Sequence, residues 1–161
     1  MSLPRGNSSA SHASEGTYCL VLSCDGCTVR VGALGEVRFP AGYYVYVGSA
    51  LGPAGLSRVA RHVRLAERGE GRTRWHIDYL LCSPSFSLRA VYCFPARVRA
   101  ECRIASLLPG EPVPGFGCSD CRCRSHLFFS PADPGESIGK AARALSLPVL
   151  SKNIKTPKGD S

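Results

Sequence analysis

Tyr44-Val45-Tyr46-Val47-Gly48-Ser49-Ala50-Leu51-Gly52-Pro53-Ala54-Gly55-Leu56-Ser57-Arg58-Val59-Ala60-Arg61-His62 is the stretch on which the reading of this chain turns. Its tyrosine- and valine-rich start suits a pleated strand. Gly52, Pro53 and Gly55 then break the pattern into a loop. From Leu56 the period becomes helical, with Leu56, Val59, Ala60 and Val63 on one face and Arg58, Arg61, His62, Leu65 and Arg68 on the opposite side. This predicts an amphipathic helix whose basic face points outward, ended by Gly69 and Gly71. Tyrosine hydroxyls, a guanidinium and an imidazole thus gather at one strand-to-helix junction, a place where phosphate can be bound.

Working outward, residues 17–23, 28–31 and 36–39 are apolar, β-leaning runs, and Pro40-Ala41-Gly42 makes a turn into the tyrosine strand. The first third therefore reads as a meander of antiparallel strands. Residues 75–81 predict a short helix under the sheet, with His76 and Asp78 embedded as a supporting pair. Residues 88–94 read as a strand, 97–108 as a helix and 125–130 as a final strand. The fold class is α/β of the α+β kind: a small central, mostly antiparallel sheet flanked by helices. Residues 1–15 and 131–161 lack comparable periodicity and read as tails, the second basic and largely flexible, around a domain at 16–130.

At 161 residues and 44% hydrophobic composition the chain has enough apolar material for one packed core. The formal charge is +8. Within the domain the excess sits between positions 58 and 74, where Arg58, Arg61, Arg64, Arg68, Arg72 and Arg74 are opposed only by Glu67 and Glu70. Such a window suits a polyanionic partner, although charge alone is equally met by a solvated helix face. Nine cysteines occur without the basic lead-in and apolar run of a secretory signal, so a reduced, intracellular, cytoplasmic protein is expected, with nucleoid or nucleus as alternatives. No stretch approaches membrane-spanning length.

Gly16-Thr17-Tyr18, Tyr46-Val47-Gly48, and Arg58 with His62 four residues apart resemble the GIY-YIG nuclease superfamily. Within it, the chain is most similar to a small branch of stand-alone domains. That branch carries Phe-Pro-Ala-Gly before the second motif, Trp-His-Ile-Asp in the middle and Asp-Cys-x-Cys-x-Ser-His near the end, matched here at 39–42, 75–78 and 120–126. The resemblance spans about residues 16–130. It implies divalent-metal-assisted hydrolysis of nucleic-acid phosphodiesters, with magnesium or manganese as cofactor, DNA ahead of RNA as partner, and room for a targeting protein. Twenty-seven residues separate Tyr18 from Tyr46, where the family typically has a short connector, so an inserted hairpin is expected.

On the matching positions, the resemblance gives Tyr18 to the attacking water, Tyr46 as its neighbour, Arg58 to the phosphate oxygens, His62 to the phosphate or leaving group, and Glu101 to the metal. A tyrosine of ordinary pKa near 10 is a poor base at neutral pH, so that role needs a nearby cation. On β-propensity alone, sheet positions with wet tips are the better reading of both tyrosines, and only the combination with Arg58 reverses it; Glu101 suits an exposed helix pair with Arg97. Arg61 and Arg68 on the basic face, with His76, Ser125 and His126, complete the substrate-binding expectation, and Asp120 is a further candidate. Cys118-x2-Cys121-x-Cys123 with His126, or with Cys24-x2-Cys27, has the ligand types of a zinc site but lacks paired regularity, so zinc is not expected. A nucleic-acid-binding module without turnover is the principal alternative; a zinc-stabilised interaction domain is a third.

Overall fold

The computed structural model describes residues 15–50, 55–96, 99–117 and 123–154. Eight strands are described: β1 (Gly16–Cys24), β2 (Cys27–Arg30), β3 (Glu36–Phe39), β4 (Gly42–Ser49), β5 (Phe86–Pro95), β6 (Glu111–Pro112), β7 (Leu127–Ser130) and β8 (Leu150–Asn153). The four helices are α1 (Ser57–Arg68), α2 (His76–Leu81), α3 (Glu101–Leu107) and α4 (Gly135–Ala144). Six strands form one antiparallel sheet in the order β6-β7-β4-β1-β5-β8. The mixed α/β expectation therefore holds.

The first four strands are not a meander. β1 pairs directly with β4, and β2 with β3 as a separate two-stranded hairpin. The extra residues between the two motifs are thus an insertion that leaves the motif strands side by side. Tyr18 stands opposite Gly48, and Leu20 opposite Tyr46.

β1 is the central strand and is buried along almost its whole length. Alternate residues of a strand face opposite ways. Tyr18, Leu20 and Leu22 accordingly pack with Val59, Leu65, Ile77 and Leu80 on one side, where the hairpin also contributes Phe39. Cys19 and Val21 pack with Ile104, Phe128 and Ile138 on the other. A sheet covered on both faces explains why β1 reads as a continuous apolar run rather than an alternation.

Helix α1 is rotated relative to the sequence expectation. Val59, His62, Leu65 and Ala66 are buried, whereas Ala60 is exposed and Val63 half-buried. The ring of His62 can face inward because it finds a polar partner there, which a hydropathy pattern does not register. The expected apolar face instead borders a groove, where Leu56, Val59, Ala60 and Val63 approach Val91, Cys93 and Leu150. Gly69 ends the helix at φ 71°, donating its N–H to the Leu65 carbonyl.

The region expected as a flexible tail is structured through residue 154. Helix α4 buries Ile138, Ala141 and Ala142, and β8 adds an edge to the sheet beside β5. Its apolar spacing was diluted by Gly135, Gly139, Lys140 and Arg143, and packing supplied what periodicity did not show. The helix expected over 97–108 begins at Glu101, and the final strand begins at Leu127 rather than 125. Residues 1–14 and 155–161 lie outside the described residues. No helix among the described residues is long and apolar enough to cross a membrane.

Candidate active site

A cleft of about 210 Å³ opens where β4 ends beside the start of β1. Tyr18, Tyr46, Arg58, Glu101, His76 and His126 line it, together with Arg74 and Trp75. Six of the ten residues singled out in the sequence thus converge from β1, β4, α1, α2, the start of α3 and the approach to β7.

Tyr18 is held by the strand register. Its ring lies over Gly48 on the neighbouring strand, where a side-chain carbon would meet the ring and come within 2.5 Å of the hydroxyl oxygen. The glycine of the Tyr46-Val47-Gly48 motif therefore makes room for the tyrosine of the first motif. Gly48→Ala is expected to cost about 1–3 kcal/mol through overpacking, read as a lower midpoint of thermal unfolding; an unchanged midpoint would contradict this packing. Tyr46 sits 6.3 Å from Tyr18, ring centre to ring centre.

Behind Tyr18 lies a buried polar chain. The Tyr18 hydroxyl is 2.9 Å from His62 Nε2, and His62 Nδ1 is 3.7 Å from Asp78 Oδ1. Both Oδ1 and Oδ2 of Asp78 accept from Arg61 at 3.1 Å, and Oδ2 also accepts the backbone N–H groups of Arg74 and Trp75 at the start of α2. Burial pushes the Asp78 carboxyl up, but the Arg61 and backbone hydrogen bonds outweigh it and hold the pKa below its ordinary value. Burial is also the largest influence on His62, driving it down to about 4 against the opposing pull of Asp78. Burial, reinforced by Tyr46, raises the Tyr18 phenol well above 10. At neutral pH the chain is therefore a neutral phenol, a neutral imidazole and a carboxylate. The Tyr18 proton is directed at His62 Nε2, and the His62 Nδ1 proton points toward Asp78 without reaching hydrogen-bond distance, so Nδ1 has no hydrogen-bond partner among the described residues.

The His62 shift sets a pH dependence. Its ordinary value is 6.5 and its folded value about 4, so below pH 6.5 the unfolded chain takes up a proton that the folded chain refuses. Stability should fall as pH drops from 6.5 to 4, by up to about 3 kcal/mol, and should carry no His62 dependence above that window. His62→Gln is expected to flatten this part of a pH-stability profile. An unaltered slope would place the acid sensitivity elsewhere.

Trp75 organises the basic side of the cleft. The guanidinium carbons of Arg58, Arg61 and Arg74 lie 5.0, 4.9 and 5.1 Å from its ring centre, within range of cation–π attraction. Arg58 also donates to the Ser49 carbonyl at 2.7 Å. One corner of its donor fork is thereby fixed at the cleft wall. Neither Arg74 nor Trp75 was singled out as a site residue, because their approach depends on the chain folding back from α1 to α2.

Glu101 is buried at the first turn of α3. Its Oε2 accepts from Arg99 at 3.0 Å, while Oε1 is buried without a hydrogen-bond partner among the described residues. The alternative partner Arg97 lies outside the described residues. A buried carboxylate oxygen left unsatisfied is costly, and it suits a hard divalent cation carrying its own waters.

Other expectations change. His62 is fully buried, with its polar edge turned to Tyr18 and Asp78 rather than to the cleft. Arg61 is held by Asp78 and by the Arg72 carbonyl, and Arg68 lies outside the cleft lining. His76 and Asp78 form no pair: His76 Nδ1 accepts the Gly117 N–H at 2.9 Å, leaving Nε2–H as the donor this ring offers. Burial lowers the His76 pKa. Ser125 is buried and makes a local turn, donating to the Leu127 carbonyl and accepting the Leu127 N–H. It does not reach the cleft. His126 does, with Nδ1 3.1 Å from the Val47 carbonyl. Asp120, Cys118 and Cys121 lie outside the described residues.

A family model described as a domain of unknown function, DUF123, matches residues 17–147. The chain belongs to that family. No curated protein and no solved structure matches it. The match takes in every cleft-lining side chain and extends through α4, so that helix belongs to the family's domain and not to a tail.

Proposed function

We propose that this DUF123 chain is a divalent-metal-dependent endonuclease of the GIY-YIG type, with DNA as the first substrate class. The observation that carries the reading is the meeting of Tyr18, Arg58 and the partner-lacking Oε1 of buried Glu101 in one cleft. Phosphodiester hydrolysis needs a base or orienting group for water, a cation against the phosphate and a ligand for a metal ion. These three side chains match those needs one for one.

Arg58 binds the phosphate oxygens with the donors left after Ser49, and Arg74 adds charge to the same wall. Tyr18 is unsuited to act as a preformed phenolate, given its raised pKa. Its hydroxyl proton faces His62, which leaves an oxygen lone pair to accept a hydrogen bond from the attacking water. Because burial drives the His62 pKa down to about 4, the ring stays neutral and fixes the direction of that lone pair by accepting the phenolic hydrogen bond at Nε2. His62 is then a positioning residue for Tyr18 instead of a phosphate contact. Glu101 and water would hold a magnesium or manganese ion, which when bound offsets charge on the phosphate.

Labelled single-stranded, duplex and branched DNA, and RNA, incubated with magnesium or with chelator, test the proposal. Cleavage that chelator stops and that Tyr18→Phe lowers by on the order of 100-fold, with unaltered affinity, is expected. Binding without cleavage on every substrate would leave a recognition module and overturn the enzymatic reading.

A further inference from the structure

Cys102, Cys123 and His126 place two sulfurs and one imidazole nitrogen within 4.8 Å of one another. They come from separate parts of the chain, Cys102 from the first turn of α3 and the other two from the segment leading into β7. Cys102 Sγ lies 3.8 Å from His126 Nε2. In a tetrahedral zinc site, bonds of about 2.3 Å to sulfur and 2.0 Å to nitrogen put those two ligands roughly 3.6 Å apart. The observed separation is already close to that value.

The far side of the ring decides which nitrogen can bind. His126 Nδ1 is 3.1 Å from the Val47 carbonyl, and a carbonyl only accepts, so Nδ1 carries the proton of the neutral ring. The Nε2 lone pair then faces Cys102. A backbone carbonyl behind a histidine is how metal-binding rings are commonly oriented. Cys102 and Cys123 also border an outer groove of about 320 Å³ that Arg124 shares. The groove gives an ion an approach.

We infer that Cys102, Cys123 and His126 form a binding site for a soft divalent cation of the zinc class. Two thiolates and a neutral imidazole balance its charge and match its preference for sulfur and nitrogen, in contrast to the oxygen chemistry of Glu101. A remaining position falls to water. The ion ties the start of α3 to the approach to β7 and, through Val47, to β4. Sequence spacing alone did not show this set, because Cys102 comes from α3 while Cys123 and His126 lie in the non-helical segment before β7.

Cobalt titration of the reduced full-length chain, stripped beforehand of metal, tests the site. Thiolate-to-cobalt absorption saturating at about one ion per chain and displaced by zinc is expected. Cys102→Ser and Cys123→Ser should each weaken binding by at least about 100-fold, beyond the 10–100-fold typical of losing an outer partner, while a Cys24→Ser/Cys27→Ser variant should bind as the parent does. Should a ligand variant fail to fold, zinc protection of individual thiols from alkylation in the parent chain gives the same answer. Absence of the absorption, or protection confined to Cys24 and Cys27, would overturn the inference. These readouts involve no nucleic acid, so they stand apart from cleavage.

Discussion

Glu101→Gln is expected to lower metal-dependent cleavage by on the order of 1,000-fold while leaving the folded state as stable as the parent, or more so. The substitution keeps the shape and removes the charge, so it separates a ligand from a structural residue. As an ion-pair partner Glu101 contributes little, because Arg99 is 62% exposed on its side-chain surface, and exposed pairs typically give no more than about 1 kcal/mol. What the carboxylate does keep is Oε1, buried and without a hydrogen-bond partner among the described residues. That oxygen is a liability to the fold unless a cation uses it. Rates measured across a magnesium series, beside thermal unfolding of both chains, check the expectation. Parental rates in the variant would remove Glu101 from the site, and a large loss of stability would mark it as a structural group.

Arg58→Ala should reduce cleavage by roughly 100- to 1,000-fold, the scale of losing one preorganised charge-stabilising group. Arg58→Lys should recover little of it. The guanidinium is simultaneously stacked near Trp75 and bonded to the Ser49 carbonyl, and an ammonium reproduces neither the planar stacking nor the fork. Binding should weaken as well, with the slope of log affinity against log salt falling by about one unit if the contact is to phosphate. Cleavage by Arg58→Ala at the parental rate would sink the phosphate role, whereas lost affinity with an unchanged salt slope would point to a structural one.

Much of the fold was legible because strand and helix signals are local. β1, β3 and β4 follow their apolar and aromatic runs, and α1 ends at Gly69 as its glycine suggested. The rotation of α1 was not legible. Hydropathy ranks a histidine as a surface residue, yet His62 is buried because Tyr18, forty-four positions earlier, presents a hydroxyl to it. Similarly, Arg61 belonged to a basic face on paper, but Asp78 removes it from the surface population. Helix α4 went unread because its apolar positions become meaningful only against the second face of the sheet.

By itself the sequence determined the mixed α/β class, the strand-to-helix junction at Tyr46–Arg58, and the residue types from which a phosphate site can be made. Those are properties of neighbouring residues, carried by side-chain period, turn chemistry and composition. Only the tertiary structure decided that the inserted hairpin leaves Tyr18 over Gly48, that His62 and Asp78 stand behind the tyrosine, that Arg74 and Trp75 join the cleft, and that Cys102 meets Cys123 and His126. Each of these is a contact between residues far apart in the chain. Such contacts follow from strand register and from which face of the sheet a helix covers, which only the packed chain fixes.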